Sequence, residues 1–387
     1  MKVLMFVSNP FTNDPRVYNE ARSLIHAGYD VTVIARDWQQ QNSPRENWDG
    51  IEVVRVTTPA IPQHVFGRQL WNGLDMILWQ WRAYGQAMVL NKASGFNVIH
   101  CHDLDTLRIG IKLKGKLGLP LIYDAHEIYG YMMTRHFPRW IAKCFLQLEK
   151  RLVSEVDRII NVCEPQMRYF AAITTTPISI IMNCKPLESL EYRSPDNTVL
   201  TVLYIGILHH GRALDMLIDT VSELPDVRCI IGGIGIPKNV RLLETKCHSI
   251  TNVEFIGKVP FDEVIPMTRK ADIIYYMVNP QDLNLRMALG NKQFEAMVCG
   301  RPIICTRGTY SGEITEQEEV GLAVDHNKEA LKQAIIKLRD DPALREELGR
   351  NALQAATTKY NWKAQEEKLI ELYRSIGPSS EYEEACL

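Results

Sequence analysis

The sequence lacks the features that mark a secreted or membrane-spanning protein. Its 387 residues contain no run of about eighteen uncharged apolar residues, so no segment is predicted to span a bilayer. The nine cysteines are scattered without a C-x-x-C pair, and the first residues run into the strand-like VLMFVS without a signal-peptide pattern. A formal net charge of -2 gives no general attraction for nucleic acid. We therefore expect a reduced, cytoplasmic protein that does not bind nucleic acid.

The common nucleotide-binding loops are missing as well. A nicotinamide-binding fold needs G-x-G-x-x-G after its first strand, but here that strand is followed by SNPFTNDPR, which contains no glycine. The later loop GGIGIP lacks the third glycine, and no G-x-x-x-x-G-K-[ST] loop occurs. The sequence therefore argues against a nicotinamide-dependent dehydrogenase and against a P-loop nucleotidase.

Two short patterns suggest metal ligands, but neither is convincing. His100 and His102 flank Cys101 at the end of a predicted strand, and we expect no further ligands near them, so zinc is not expected. Asp103 and Asp105 form the D-x-D pair that many nucleotide-sugar enzymes use for a metal, but such pairs are common by chance. Neither pattern is enough to predict a metal site.

The chain does contain a regular alternation of apolar, strand-like runs and helical patterns. Continuous apolar strands separated by helices are typical of a parallel sheet covered on both faces. Residues 1–185 carry one such series and residues 199–358 a second, and the polar segment 186–198 reads as a linker. A last helix over 359–376 and a polar tail over 377–387 follow. The predicted fold class is α/β, with two Rossmann-like, doubly wound domains.

Polar residues collect after the predicted strands. In doubly wound sheets, ligands bind outside the carboxyl ends of the strands, where helix N-termini offer free N–H groups. In the first domain, these positions hold Asn9, Asp14, Arg16, His102, Asp103 and His126. In the second domain, they hold Gly206, Arg212, Gly233, Asn291, Lys292 and Glu295. A site built from both sets is expected.

Taken in order, these segments resemble the GT-B fold retaining glycosyltransferases of glycosyltransferase family 4. NKQFEAMVCGRPII is the most specific segment, and YDAHEIY, YIGILHHGRALDMLIDT, VEFIGKVP and YNWKAQEEKLIELYRS extend the resemblance over nearly the whole chain. The resemblance implies an acceptor-binding first domain that faces, across a cleft, a second domain for the sugar donor. It also implies a C-terminal helix that crosses back to the first domain.

The activity that the resemblance implies is sugar transfer from a UDP- or GDP-activated donor to a hydroxyl acceptor, with retention of configuration. The acceptor would be a glycan or a lipid-linked molecule, as in the synthesis of glycolipids or cell-surface polysaccharide. Two alternatives stay open: a nucleotide-sugar epimerase of the same fold, which would need acid and base groups on both faces of the sugar, and a non-catalytic protein that binds nucleotide sugars.

The resemblance also assigns roles on the donor side. Glu295 would accept hydrogen bonds from both ribose hydroxyls, because a carboxylate has enough lone pairs for two donors. Lys292, with Asn291 at the start of its helix, would bind the diphosphate together with Arg212, and these charges would replace a metal. Gly206 and Gly233 would line the same pocket. The simpler interpretation of Glu295 is a carboxylate paired with a base in the core.

On the acceptor side, His126 would lie beside the transferred sugar, although a buried histidine with a structural role is the alternative. The other acceptor-side residues that we expect are Asn9, Asp14, Arg16, His102 and Asp103.

Two positions depart from the family pattern. Met287 stands where many members carry a glutamate, eight positions before Glu295, and Ile207 stands where many carry an arginine. Their roles must then come from other residues, for which we consider Asn284, Arg286 and Asn291.

Two segments are rich in aromatic and basic residues. Residues 65–90 contain Trp71, Trp79 and Trp81, and residues 131–152 contain Arg135, Arg139, Lys143, Lys150 and Arg151. An amphipathic helix of this kind either packs its apolar stripe into the core or lies on an anionic membrane. The second alternative predicts peripheral contact with the inner face of the cell membrane.

Overall fold

The computed structural model describes residues 1–12, 14–58, 68–134 and 137–376, without the side chains of residues 68–72. Residue contacts divide the chain into two units, Met1–Ile181 with Glu366–Leu387 and Met182–Gln365. The predicted first domain, which ends at residue 185, extends slightly beyond this division.

The first unit is built on an eight-stranded sheet. The strands are β1 (Lys2–Val7), β2 (Asp30–Arg36), β3 (Arg45–Trp48), β4 (Ile51–Val56), β5 (Val98–His102), β6 (Leu121–Ala125), β7 (Arg158–Asn161) and β8 (Ile178–Ile180). Their order is β3-β4-β2-β1-β5-β6-β7-β8, and all neighbours are parallel except β3 and β4. The order reverses between β1 and β5, which makes this the expected ligand position of the sheet.

Helices cover both faces of this sheet. They are α1 (Pro15–His26), α2 (Arg68–Ser94), α3 (Leu104–Leu117), α4 (Tyr129–Met133), α5 (Arg139–Leu152) and α6 (Glu164–Ala171). Apolar residues of α2, α3, α5 and α6 share one core with one face of the strands. On the opposite face, α1 forms a second core. The helix α1 begins at Asp14, whose carboxylate accepts a hydrogen bond from the Val17 N–H at 3.2 Å.

The second unit has a six-stranded sheet in which all neighbouring strands are parallel. The strands are β9 (Leu200–Leu208), β10 (Val227–Gly235), β11 (Val253–Gly257), β12 (Ile273–Tyr276), β13 (Ile303–Thr306) and β14 (Gly321–Val324), in the order β11-β10-β9-β12-β13-β14. The order reverses between β9 and β12. Ligands of the second unit are therefore expected where these two strands end.

The helices of the second unit alternate with its strands. They are α7 (Leu214–Val221), α8 (Pro237–His248), α9 (Phe261–Lys270), α10 (Leu283–Met287), α11 (Asn291–Val298), α12 (Tyr310–Gln317), α13 (Lys328–Asp340) and α14 (Pro342–Thr358). The last helix, α15 (Trp362–Ile376), crosses the division between the units, and its Leu369, Leu372 and Tyr373 belong to the core that α1 forms.

Apart from the short helices α4 and α10, two elements were not predicted from the sequence. The edge strand β3 has only polar residues and one tryptophan, so it shows no apolar run; it forms a hairpin with β4 through Asp49 and Gly50, which both have positive φ. The helix α12 begins at Thr309, whose hydroxyl accepts a hydrogen bond from the Gly312 N–H at 3.1 Å. In the part of the chain that is described, no helix is long and apolar enough to cross a membrane.

Candidate functional site

Each unit carries a cluster of buried and half-buried charged residues at the carboxyl ends of its strands. The His126 cluster in the first unit consists of Arg16, His102, Asp103, Asp124 and His126, and the Lys292 cluster in the second unit consists of Lys185, Arg212, Lys292 and Glu295. Each lies beside the position where the strand order of its sheet reverses.

The centre of the His126 cluster is a buried ion pair between Arg16 and Asp124. Asp124 is the last residue but one of β6, and Arg16 lies in the first turn of α1. The Arg16 guanidinium donates from Nε to Asp124 Oδ2 at 2.9 Å and from Nη2 to Asp124 Oδ1 at 2.7 Å. Its Nη1 donates to the Ile181 carbonyl at 2.9 Å. This two-pronged contact fixes the carboxylate that the two histidines share.

Both histidines of the cluster contact the same oxygen of Asp124. Asp124 Oδ2 lies 3.1 Å from His102 Nδ1 and 3.0 Å from His126 Nε2. The other ring nitrogen of His126, Nδ1, lies 3.3 Å from Asp103 Oδ2. Both ring nitrogens of His126 are thus engaged by carboxylates. A hydrogen bond from His126 to a sugar would replace the contact with Asp103, which is longer and more exposed.

Asp103 has a strained backbone that serves this contact. Its φ of 60° lies in the left-handed region, which costs a residue with a side chain about 1–3 kcal/mol. It precedes α3, yet its side chain does not cap that helix. Instead, Asp103 Oδ1 accepts a hydrogen bond from the His126 N–H at 3.2 Å. Strain of this kind is typical of functional sites.

The charges in this cluster shift one another's ionisation. Burial alone would lower the pKa of His126, but the carboxylates of Asp103 and Asp124 raise it to about 10. Burial would raise the pKa of Asp124, but Arg16 and His126 hold it well below its usual value. Burial raises the pKa of Asp103 to about 7, against the attraction of His126. At neutral pH, the cluster therefore holds an imidazolium between two acidic groups.

A second layer lies behind Arg16 in the first unit. Glu20 Oε1 lies 3.0 Å from Arg16 Nη2, and burial followed by the repulsion of Asp124 raises the pKa of Glu20 to about 8. His100 Nδ1 lies 2.7 Å from the Tyr373 hydroxyl. Burial lowers the pKa of His100 well below its usual value, so this imidazole is neutral.

The expectation that no further ligands lie near the two strand histidines was wrong. Glu20, His100, His102 and Asp124 each offer a ligand atom within 4.8 Å of the others, because residues two apart on a strand share one face. The Arg16 guanidinium, however, contacts both carboxylates of this group. A metal ion would have to enter against that fixed positive charge, so we interpret the group as an ion-pair network.

The predicted acceptor-side residues differ in how accessible they are. Arg16 and His102 are 7% and 2% exposed, so they support the site from behind. Asn9 and Asp14 are half-buried and bind each other, because Asn9 Nδ2 donates to Asp14 Oδ2 at 2.7 Å. Asp103 and His126 remain partly exposed.

In the second unit, Lys292 lies in a space that two glycines leave open. A Cβ on Gly206 would lie 2.2 Å from Lys292 Nζ. Gly233 has a φ of 138°, and a Cβ there would lie 1.7 Å from the Gly206 carbonyl oxygen. The Lys292 ammonium lies over the ring of Tyr204, 4.7 Å from its centroid. Gly206 is therefore needed for the position of this lysine, and Gly233 is needed for the close pairing of β10 with β9 beside it.

Arg212 ends a short 3-10 helix (His210–Arg212) after β9. Its guanidinium carbon lies 5.2 Å from the centroid of the Tyr276 ring. The next residue, Ala213, has a φ of 50°, and the Tyr275 hydroxyl donates to its carbonyl at 2.8 Å. The turn that carries Arg212 is thus held in a strained conformation by a buried tyrosine.

Glu295 is paired with a lysine that the sequence analysis did not include. Lys185 Nζ lies 3.7 Å from Glu295 Oε1, and both side chains are more than nine-tenths buried. No backbone or side-chain group in the described part of the chain donates a hydrogen bond to this carboxylate. Lys185 was not predicted because it directly precedes the predicted linker and belongs to no strand end or sequence motif.

The Lys292 cluster has an excess of positive charge. Burial, against the attraction of Glu295 and together with the repulsion of Arg212 and Lys185, lowers the pKa of Lys292 to about 8. A bound anion would reverse this shift. The arrangement suits a ligand with several negative charges. Asn291 is exposed at the first position of α11, where the backbone N–H groups of the helix N-terminus can add to the binding of an anion.

The two departures from the family pattern leave one buried candidate to replace the missing groups. Arg286 and Ile207 are exposed, whereas Asn284 is 4% exposed. The amide nitrogen of Asn284 is buried and has no hydrogen-bond partner within the described residues. It can therefore serve a ligand without breaking an existing contact.

Two family profiles match the chain, and together they cover most of it. Residues 14–183 match the glycosyl transferase 4-like domain, and residues 199–341 match the domain of the glycosyl transferases group 1. A curated relative is the D-inositol 3-phosphate glycosyltransferase of Corynebacterium glutamicum, which is 25% identical over 72% of this chain and 72% of its own.

Solved structures of glycosyltransferases share the fold. Sucrose-phosphate synthase from Thermosynechococcus elongatus aligns with a TM-score of 0.80 over 97% of this chain and 99% of its own, at 18% identity. The Anabaena protein HepE, in complex with UDP and glucose, aligns with a TM-score of 0.72 over 97% of this chain and 100% of its own, at 17% identity. Both units have the parallel α/β architecture of the GT-B fold.

We predict that His126 makes the stability of the protein depend on pH between about 8 and 10. Its pKa in the folded state, about 10, is above its ordinary value of 6.5, so its contribution is complete below 6.5 and is lost as the pH rises through 10. Above about pH 8, Asp103 and Glu20 have already titrated. Lys292 contributes a slope of the opposite sign in the same range, because its pKa of about 8 lies below the ordinary value of 10.5. Urea unfolding at several pH values should therefore give slopes for the unaltered protein and for His126→Gln that differ by up to about 1.4 kcal/mol per pH unit, with the unaltered protein losing more stability as the pH rises. Equal slopes in both proteins would contradict this account of the cluster.

We predict that Gly206→Ala displaces Lys292 without unfolding the protein, because the clash falls on the end of a flexible side chain. The loss of a charge-assisted contact, worth about 1.5–3 kcal/mol, should weaken nucleoside diphosphate binding roughly ten- to a hundredfold. Calorimetric titration with UDP and GDP measures it. Gly115→Ala is the control, since a Cβ there meets nothing within 4 Å. Unchanged affinity in Gly206→Ala would show that Lys292 does not bind the diphosphate.

Proposed function

Because the chain belongs to the GT-B glycosyltransferases, with the domains of glycosyltransferase family 4, we propose that it transfers a sugar with retention of configuration from a UDP- or GDP-activated donor to a hydroxyl acceptor. The donor would bind in the second unit and the acceptor in the first. We further propose that the reaction needs no divalent cation.

The observation that carries this proposal is the Lys292 cluster. Three cations and one carboxylate lie where β9 and β12 end, at the reversal of strand order. A nucleoside diphosphate has matching chemistry, with charged phosphates for Lys292 and Arg212 and ribose hydroxyls for Glu295. The UDP complex of the structurally similar HepE supports this choice of donor.

The same cluster supports reaction without a metal. Sugar transfer leaves a new negative charge on the diphosphate, which must be stabilised in the transition state. Lys292 and Arg212 are held in place before the donor arrives. Lys292 lies over the Tyr204 ring in the space that Gly206 leaves open, and the turn that carries Arg212 is fixed by the Tyr275 hydroxyl. Preorganised charges of this kind stabilise a leaving group without a Lewis acid.

His126 provides the charge in the first unit. Held as an imidazolium by Asp124, it would lie beside the transferred sugar and donate a hydrogen bond near the reacting carbon from Nδ1, which would give up its contact with Asp103. In the retaining mechanism that we propose, the acceptor attacks from the side of the leaving group, and the leaving phosphate oxygen takes the acceptor's proton. No separate general base is needed.

We expect slow hydrolysis of one donor from a panel of UDP- and GDP-sugars, and this hydrolysis should continue in the presence of a chelator. His126→Ala should leave diphosphate binding nearly unchanged and lower turnover strongly, because its partner would be the sugar. His248→Ala, at an exposed position, is the control. The assay is product analysis by chromatography.

The other outcomes of this panel decide between the alternatives. Isomerised donor would indicate an epimerase, and binding without turnover would indicate a non-catalytic protein. Activity that a chelator removes and Mg²⁺ or Mn²⁺ restores would contradict metal independence.

We also propose peripheral binding to an anionic membrane, in the cytoplasm at its inner face, through the outer surface of α2, α3 and α5. The helix α2 has two apolar faces. Trp79, Ala83, Ala87 and Leu90 pack into the core of the first unit. Spacings of three and four residues place a second set on the solvent side, namely Leu74, Ile77, Leu78 and Trp81. Only the second set can contact a membrane, so Trp79 does not contribute. Trp71 and Arg135 lie outside the residues whose side chains are described.

The charges around this surface have one sign. Lys112 of α3 lies over the exposed Trp81 ring, 5.0 Å from its centroid. The helix α5 exposes Trp140 and the basic residues Arg139, Lys143, Lys150 and Arg151. The acidic residues of α2 and α5 within the described part of the chain, Asp75 and Glu149, are both buried. A bilayer with acidic lipids suits such a surface.

We predict that the protein co-sediments with vesicles containing phosphatidylglycerol at low salt, and less as salt rises, since each basic residue contributes about 1 kcal/mol. Trp81→Ser combined with Ile77→Ser should reduce binding, because both side chains are exposed. Leu190→Ser, which removes a side chain that is 71% exposed elsewhere, is the control. No sedimentation at low salt would contradict the proposal.

A further inference from the structure

We propose that Lys185 is a positioning residue of the donor site, which holds the Glu295 carboxylate in place for the ribose hydroxyls. The inference rests on the proposed function, since it assumes that Glu295 binds the ribose. It adds to the site a residue from the segment that enters the second unit, four residues after the division at Ile181.

The geometry of the pair suits a supporting role. The 3.7 Å between Lys185 Nζ and Glu295 Oε1 is an ion-pair distance, but it is too long for a hydrogen bond. The carboxylate therefore keeps its lone pairs for other donors. A shorter contact would occupy the oxygens that the ribose needs.

The Lys185 ammonium is also held from its other side. It lies 5.4 Å from the centroid of the Phe261 ring, at the start of α9. The side chain is 8% exposed, so water does not compete strongly for the charge. Lys185 thus has one carboxylate and one aromatic face around it in the described residues.

The backbone of Lys185 is anchored as well. Its carbonyl accepts a hydrogen bond from the Trp362 N–H at 3.0 Å, and it forms a β-bridge with Asn361. Asn361 is fixed in turn, because its side chain donates to the Ala356 carbonyl at 2.8 Å and accepts from the Ala364 N–H at 2.9 Å. The lysine therefore starts from a rigid point.

The arrangement divides two tasks between two lysines. Glu295 raises the pKa of Lys292, so the two groups attract each other. Without the Lys185 counter-ion, the attraction of Glu295 would draw Lys292 more strongly away from the phosphates. With Lys185 as the partner of Glu295, the ammonium of Lys292 stays available for the diphosphate.

The opposite role would be inhibition. A lysine that competes with the ribose for Glu295 would weaken nucleotide binding, and its removal would strengthen it. The 3.7 Å separation argues against competition, and the two roles predict changes of opposite sign.

The test is a double-mutant cycle on Lys185→Met and Glu295→Gln, measured by calorimetry with UDP or GDP, whichever the unaltered protein binds. Lys185→Met should weaken binding roughly tenfold, in line with the loss of one charged partner of a buried carboxylate. The double variant should bind no more weakly than Glu295→Gln alone. Lys185→Arg, which keeps the charge, should restore most of the affinity.

A second ligand distinguishes an effect on the position of Glu295 from a general loss of structure at the site. With the 2′,3′-dideoxy form of the same nucleotide, Lys185→Met should cause a clearly smaller loss than with the ribonucleotide, because the hydroxyls that Glu295 binds are absent and only the effect through Lys292 remains. The control is Lys359→Met, which breaks an ion pair with Glu318 at 2.8 Å in the same unit. If Lys185→Met does not fold, Lys185→Gln, which removes the charge but keeps a polar end on the side chain, carries the same expectations.

The results distinguish the inference from the function beneath it. If Glu295→Gln leaves affinity unchanged, the ribose role of Glu295 fails. If Glu295→Gln weakens binding but the two substitutions are additive, or if Lys185→Met strengthens binding or weakens the dideoxy nucleotide equally, Lys185 is not a positioning residue.

Discussion

The ammonium of Lys292 occupies a space that exists because residue 206 has no side chain, and the arrangement of the donor site depends on this constraint. Strands β9 and β10 pair to their ends because Gly233, which has no side chain, can approach the Gly206 carbonyl closely. The lysine is then placed over Tyr204 and close to other cations, where burial and repulsion lower its pKa. A site that disfavours its own positive charge gains most from an anionic ligand.

The first unit uses buried charge in a different way. The Arg16–Asp124 ion pair balances its own charge, and the histidines are placed around the remaining oxygen of Asp124. Breaking such a pair by removing one partner is costly, since it leaves a buried charge alone. The His126 cluster is therefore rigid, whereas the Lys292 cluster has a charge left to be neutralised. The contrast fits a first unit that orients a group and a second that holds a charged donor.

Much of the fold, and the positions of several residues of the two clusters, could be predicted from the sequence. Apolar strands and helical patterns predicted the α/β fold, and the polar residues after the strands marked the positions of His126, Arg212, Lys292 and Glu295. The edge strand β3 was missed because RENW has no apolar alternation. Lys185 was missed because its partner Glu295 is distant in the chain, and no local pattern reports a contact across more than a hundred residues. Glu20 lies only four residues after Arg16, but it was missed because it lies inside α1 and not after a strand.

The burial of Arg16 also lay beyond sequence reasoning. An arginine after a strand suggests a ligand contact, but its side chain turns toward Asp124, and only the packed structure shows that direction. The exposed apolar face of α2 was hidden in the same way, because the sequence shows that both faces are apolar but not which one is covered.

The central claim is that Lys292 recognises the diphosphate of a nucleotide. The most direct measurement is the difference in affinity between UDP and UMP, or between GDP and GMP if guanine is the base, for the unaltered protein and for Lys292→Met. The account predicts that the unaltered protein clearly prefers the diphosphate and that Lys292→Met, still folded, loses most of this preference. An undiminished preference in Lys292→Met would contradict it.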